Sequence, residues 1–252
     1  MSQRALEAAV EAARAAGRIA LGYYRDGFDV SLKADATPVT QADREAEQAI
    51  VEILTRAFPA WGVLGEEFGD RGARDVRWII DPIDGTKNFV RRIPIWATLI
   101  ALEEHGEVTV GVVHNPVTGD LYTARRGAGA FLNGARLAVS DVAALADAFL
   151  VHAGLAILRK AGRWDGFVRL VDATDRQRGF GDYWGYGLLA EGRVDIYLEA
   201  DLKPWDLAAC KLLVEEAGGR FTDLDGRPTI YSGTALATNG RLHDAVLALL
   251  RR

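Results

Sequence analysis

The stretch "VRWIIDPIDGTKNFV", residues 76–90, runs from an apolar segment straight into two aspartates, a proline, a glycine, a threonine and a lysine. A turn uses at most one Asp, and a core strand has no use for either. The apolar part reads as a strand ending at the acids. Beyond it, Asp81 and Asp84 flank Pro82 and Ile83 and are spaced to converge on one cation, while Gly85 permits close backbone approach. The carbonyl of Ile83 would add an oxygen ligand, and the amides of Gly85 and Thr86, if they open a helix, would hold phosphate. Ligands that are all oxygen suit magnesium rather than zinc. The plainer alternative is that Asp81 closes a strand and Asp84 caps a turn.

Two further acids bear on that choice. Upstream, "AWGVLGEEFG" predicts a short strand that runs beside the first and delivers Glu66 and Glu67 to the same edge; a solvated surface pair is the alternative. Downstream, Pro204 and Trp205 place Asp206 in the first turn of a helix, either as a ligand or as a cap. Four converging carboxylates repel unless cations lie between them, so convergence and metal binding form one expectation. A phosphate ester bridging two magnesium ions can be hydrolysed by in-line attack of water, without a nucleophilic Ser or Cys. Asp43 and Thr86 would form the proton relay, the carboxylate orienting the hydroxyl and the hydroxyl the attacking water. Helix capping is the other reading of Asp43.

In the remaining chain, Leu6, Val10, Ala13, Ala16 and Ala20 recur at helical spacing and predict a long first helix. Thr40 precedes a second, with Asp43 as an acidic variant of the capping box and an apolar face of Ala46, Ile50, Ile53 and Leu54. From Pro94, short β-rich runs punctuated by Gly and Asn-Pro predict an antiparallel meander. Helical patterns return in "WDGFVRLVDATD", "YWGYGLLAEG" and "WDLAACKLLVEEAG", with strand-like "VDIYLE" between them. The pattern predicts an α/β or α+β fold, with an N-terminal α+β half over residues 1–140 carrying most candidate metal ligands and a C-terminal α/β half over residues 141–252 carrying Asp206. At 252 residues the chain needs no disulfide to hold a core, and its one cysteine, Cys210, offers none. Glu7, Glu11, Arg14 and Arg18 interrupt the opening helix too often for a signal or membrane segment, so a cytoplasmic protein without a membrane partner is expected. A net charge of −5 with both signs interspersed, and no basic stripe, argues against a nucleic-acid partner.

"GEE" at residues 65–67, "WIIDPIDGTKNF" at 78–89, "KPWDLAA" at 203–209 and "VTQAD" at 39–43 together resemble the inositol monophosphatase superfamily of lithium-sensitive, magnesium-dependent phosphatases. The resemblance covers nearly the whole chain. It implies a layered αβαβα sandwich, a homodimer, and two or three Mg2+ per site. It makes Glu66, Asp81 and the Ile83 carbonyl ligands of one ion and Asp81, Asp84 and Asp206 ligands of another, with a third, weaker ion near Glu66 in some members. Glu66 and Thr86 would orient the attacking water with Asp43 behind Thr86, and the Gly85 and Thr86 amides would take the phosphate. Lys33 resembles a basic residue on the segment before the second helix that approaches the site. Glu199 matches a position that contacts the alcohol part of the substrate.

Where inositol monophosphatases have a small-residue stretch, this chain has "RGFGDYWGYGLLAEGRVDIYLE", residues 178–199, which resembles the histidinol-phosphatase branch. Asp182 and Glu199 would pair with an ammonium or imidazolium, while Tyr183 and Trp184 read as helix-packing residues. The expected activity is conversion of L-histidinol phosphate, a small phosphorylated metabolite, to L-histidinol and phosphate in histidine biosynthesis. An inositol-1-phosphate or broad sugar-phosphate phosphatase is the alternative, and a noncatalytic protein of the same fold is a third reading.

Overall fold

The computed structural model describes residues 2–32 and 38–251. Lys33 lies outside them. The chain opens with α1 (Ser2–Asp26), the short pair β1 (Val30–Leu32) and β2 (Pro38–Thr40), and α2 (Gln41–Ala57). A first sheet follows: β3 (Gly62–Gly65), β4 (Gly69–Arg71), β5 (Val76–Asp84), β6 (Ala97–Glu104), β7 (Glu107–Asn115), β8 (Asp120–Arg125), β9 (Gly129–Leu132) and β10 (Ala135–Arg136), with the short helix α3 (Thr86–Val90) after β5. The second sheet contains β11 (Phe149–His152), β12 (Arg176–Arg178), β13 (Ile196–Ala200), β14 (Arg220–Thr222) and β15 (Thr234–Thr238). Its helices are α4 (Leu155–Lys160), α5 (Trp164–Ala173), α6 (Asp182–Ala190), α7 (Pro204–Glu216) and α8 (His243–Arg251).

Alternation along the strands builds the layers. In β5, Trp78 and Ile80 face the core shared with α1 and α2, whereas Ile79 faces the opposite core, which α6 and α7 fill. That middle core also takes Val151, Tyr197, Ala235 and Ala237 from one face of the second sheet. Leu150, Ile196, Leu198 and Leu236 point the other way, onto α4, α5 and α8. Helix pair, sheet, helix pair, sheet and helix layer make the expected αβαβα sandwich, with both sheets buried on two sides.

The first sheet has the order β10-β9-β8-β7-β6-β5-β3-β4, and β6 to β10 form the predicted meander. Only β3 and β5 run parallel, with Gly65 opposite Ile80. Both strands therefore deliver their following residues to one edge. The strand ending at Asp81 is longer than predicted: β5 continues to Asp84 with a register shift between the two acids against β6. Such an irregularity re-aims side chains. The buried stripe of α1 contains the predicted Ala13, Ala16 and Ala20 but not Leu6 and Val10. It consists of Ala5, Ala8, Ala9, Ala12, Ala13, Ala16 and Ala20, with Leu6 and Val10 half-buried at its margins. Small side chains let α1 nest closely against both α2 and the sheet.

His243, at the first turn of α8, is fully buried between two threonines, with Nε2 3.0 Å from Thr222 Oγ1 and Nδ1 3.1 Å from Thr238 Oγ1. The Thr222 hydroxyl donates to the Asp223 carbonyl, so Nε2 carries the ring proton. Burial, and secondarily Arg220, pushes the imidazole down to about 4. The unfolded chain takes up this proton more readily, so the contribution is complete above the unfolded value and is lost as the pH falls from about 6.5 toward 4. Between pH 7 and 5 this one site should remove about 2 kcal/mol of stability. Urea unfolding of wild type and His243→Gln at both pH values checks it. The difference between the two proteins isolates this residue, and equal pH dependence contradicts the assignment.

Candidate active site

The parallel pair and the two helix starts bring the predicted acids together. Asp81 and Asp84 are buried, Asp206 is half-buried, and one carboxylate oxygen from each lies within 4.8 Å of the others. Asp81 Oδ1 accepts the Ile83 amide at 2.9 Å, and Asp84 Oδ2 accepts the Tyr183 amide at 2.7 Å. Asp206 Oδ2 accepts the Lys203 amide at 2.7 Å. Asp206 is thus both a cap of α7, with Pro204 before it, and a member of the cluster. The two readings of that residue coexist.

Burial pushes the carboxyls of Asp81 and Asp84 well up. Glu66, Asp84 and Asp206 add to the effect at Asp81, and Asp182 and Asp206 add to it at Asp84. Asp206 is also raised, first by burial and then by Glu66, against the Lys203 bond. Glu66 therefore faces this group, and its side chain is bonded to Asp81. Its amide donates to the Ile80 carbonyl at 3.2 Å, directly beside Asp81. Buried, like-charged, oxygen-only donors at this separation fit a hard divalent cation, which would replace their mutual repulsion by attraction.

Gly85 occupies the left-handed region at φ +81 and caps α3. A Cβ there would lie 3.0 Å from the Ile95 carbonyl oxygen and 3.4 Å from Asp182 Oδ2, so both conformation and space call for glycine. The Asn88 and Phe89 amides bond the Gly85 carbonyl, leaving those of Gly85 and Thr86 ahead of the first intrahelical bonds. Thr86 Oγ1 donates to the Ile83 carbonyl at 3.1 Å.

Asp43 takes the capping role of its two readings. Its Oδ2 accepts both the amide and the hydroxyl of Thr40, each at 2.7 Å, closing the predicted capping box, while the buried Oδ1 has no hydrogen-bond partner. Its carboxyl is pushed up to about 6, mainly by burial, with Glu67 and Glu66 adding to the shift. Asp43 thus borders the acidic site, but its hydrogen bonds go to Thr40 and the hydroxyl of Thr86 is given to Ile83.

Asp182 lies at the start of α6 with φ +56 and accepts Asn88 Nδ2 at 2.7 Å. Burial raises its carboxyl, against Lys87 and Asn88. Glu199 is buried, accepts Tyr197 Oη at 2.7 Å, and is pushed up to about 8 by burial and then Asp182. Tyr183 is core, its hydroxyl accepting Asn115 Nδ2 at 2.6 Å, and Trp184 packs at its margin against Phe180.

Two further residues, Asn88 and Glu47, hold the site together. Asn88 bridges Asp182 and the Ile95 carbonyl, and Glu47 receives the amides of Glu67 and Phe68. The available signal for Glu47 was an acid one turn after Asp43 on the otherwise apolar face of α2.

The inositol monophosphatase family model matches residues 1–252. Histidinol-phosphatase of Streptomyces coelicolor is 47% identical over 232 residues, covering 88% of this chain and 87% of that one. Inositol-1-monophosphatase of Rhizobium meliloti is 41% identical over 235 residues, covering 89% and 87%. Among solved structures, the extragenic suppressor protein suhB of Bartonella henselae superposes with a TM-score of 0.92 at 35% identity, covering 98% of each chain. Acid cluster, layered fold and whole-length match agree: this chain belongs to the inositol monophosphatase family, as a phosphomonoesterase.

Proposed function

We propose that the protein is a magnesium-dependent phosphatase that hydrolyses L-histidinol phosphate to L-histidinol and phosphate. Glu66, Asp81 and the Ile83 carbonyl would hold one ion, and Asp81, Asp84 and Asp206 a second. Bound magnesium would supply Lewis acidity to the phosphoryl group and lower the pKa of the attacking water. The chain's own residues do the rest. The Gly85 and Thr86 amides take phosphate oxygens at the opening of α3, and Glu66 and Thr86 orient the water for in-line attack. The Thr86 hydroxyl, turned from Ile83 toward the partnerless Oδ1 of Asp43, would complete a relay that accepts the water's proton.

The observation that carries the substrate reading is the pair of acids beyond the ligand set. Asp182 lies against Gly85, and Glu199 lies near enough to Asp182 for each charge to be felt. A cationic alcohol moiety would neutralise both and restore an ionised Glu199, whereas a neutral polyol brings no charge. The same residues favour a second reading, an inositol-1-phosphate phosphatase. A Glu199 carboxyl raised to about 8 is protonated at neutral pH and can donate to a sugar hydroxyl.

Comparing histidinol phosphate with its analogue lacking the amine separates the two readings. We expect kcat/KM to fall at least about 10-fold without the amine, the effect of losing a charge-assisted bond. Equal efficiencies would favour the polyol reading.

A further inference from the structure

We propose that Glu47 is a positioning residue that sets the turn carrying Glu66; the inference rests on the reading of Glu66 as a metal ligand. Glu47 is fully buried on the face of α2 that otherwise contributes Ala46, Ile50 and Leu54 to the core. An apolar side chain would pack there without the desolvation cost of a carboxylate. Both its oxygens are used on one short turn. Oε2 accepts the Glu67 amide at 2.8 Å and Oε1 accepts the Phe68 amide at 3.0 Å. A Cβ on Gly65 would stand 1.9 Å from Glu47 Oε1, so the carboxylate presses directly on the backbone before Glu66.

Glu66 is therefore bracketed. Its own amide is tied to Ile80 on β5, one residue before Asp81, and the next two amides are tied to α2. Two amide donors side by side need two acceptor oxygens. A glutamate provides them, whereas a glutamine provides one and turns its own NH2 against the second N–H. Glu47 is held at both oxygens by the Glu67 and Phe68 amides. It acts through the backbone of Glu66, as groups behind metal ligands commonly do.

The test is calorimetric titration of the metal-free protein with magnesium, for wild type, Glu47→Gln and Gly65→Ala. The first substitution removes an acceptor; the second displaces the carboxylate without removing it. Both should weaken magnesium binding by about 10- to 100-fold, with turnover recovering in excess magnesium. Wild-type binding alongside Glu47→Gln binding within twofold of it overturns the inference alone. Wild type that takes up no magnesium overturns the ligand assignment as well. If neither variant folds, amide exchange of the wild type decides. Glu67 and Phe68 amides already protected without metal support the inference, and amides that become protected only when magnesium is added contradict it.

Discussion

Asp84→Ala should abolish magnesium-dependent phosphate release from every ester, by at least about a thousandfold, equivalent to roughly 4 kcal/mol of transition-state stabilisation. The expectation follows from position. Asp84 is buried within 4.8 Å of Asp81 and Asp206, at the register shift that turns β5 toward the site. Alanine also deprives the Tyr183 amide of its acceptor. Asp84→Asn is therefore the sharper variant, since an amide oxygen can still accept that bond while the charge is gone. It should lose activity as fully as alanine while unfolding no more readily than wild type in the absence of metal, because like-charge crowding is relieved. Full residual activity in either variant would sink the metal assignment.

Asp182→Asn should cut kcat/KM for histidinol phosphate by about 10- to 100-fold, and for inositol-1-phosphate by less than about threefold. The substitution is mild structurally. Asparagine tolerates the left-handed φ of +56, and its carbonyl can accept the Asn88 bond as the carboxylate does. What disappears is one negative charge beside Gly85. A cationic substrate loses an ion pair, while a polyol exchanges one hydrogen-bonding group for another. Equal losses on both substrates would contradict the charge argument.

Much of this was legible because it is local. Short β-rich runs and the breaks at Gly and Asn-Pro gave away the meander, and the motifs around Asp81, Glu66 and Asp206 pointed to one site. The double duty of Asp206 was visible as two competing readings, because an acid at the third position of a helix serves equally as cap and ligand. What stayed hidden depends on contacts distant in sequence. The alanine stripe of α1 is selected by how closely a neighbouring helix and sheet approach; helical spacing found Ala13, Ala16 and Ala20 but also placed the half-buried Leu6 and Val10 on that face. For Asp43, the capping reading is a local one and is the one the hydrogen bonds show. Thr40, three residues before Asp43, satisfies Oδ2 twice, while the hydroxyl of Thr86 is given to the Ile83 carbonyl. The role of Asn88 becomes apparent only when α6 arrives, 94 residues later, to place Asp182 against it.

The most direct test is phosphate release from histidinol phosphate, inositol-1-phosphate, fructose-1,6-bisphosphate and an adenosine phosphate in parallel, with magnesium and with chelator. We expect turnover that chelator abolishes and a kcat/KM for histidinol phosphate at least about 10-fold above the others, the discrimination of one charge-assisted contact. Comparable efficiencies across the esters, or a preference for inositol-1-phosphate, would contradict the substrate reading, and turnover indifferent to chelator would contradict the metal site itself.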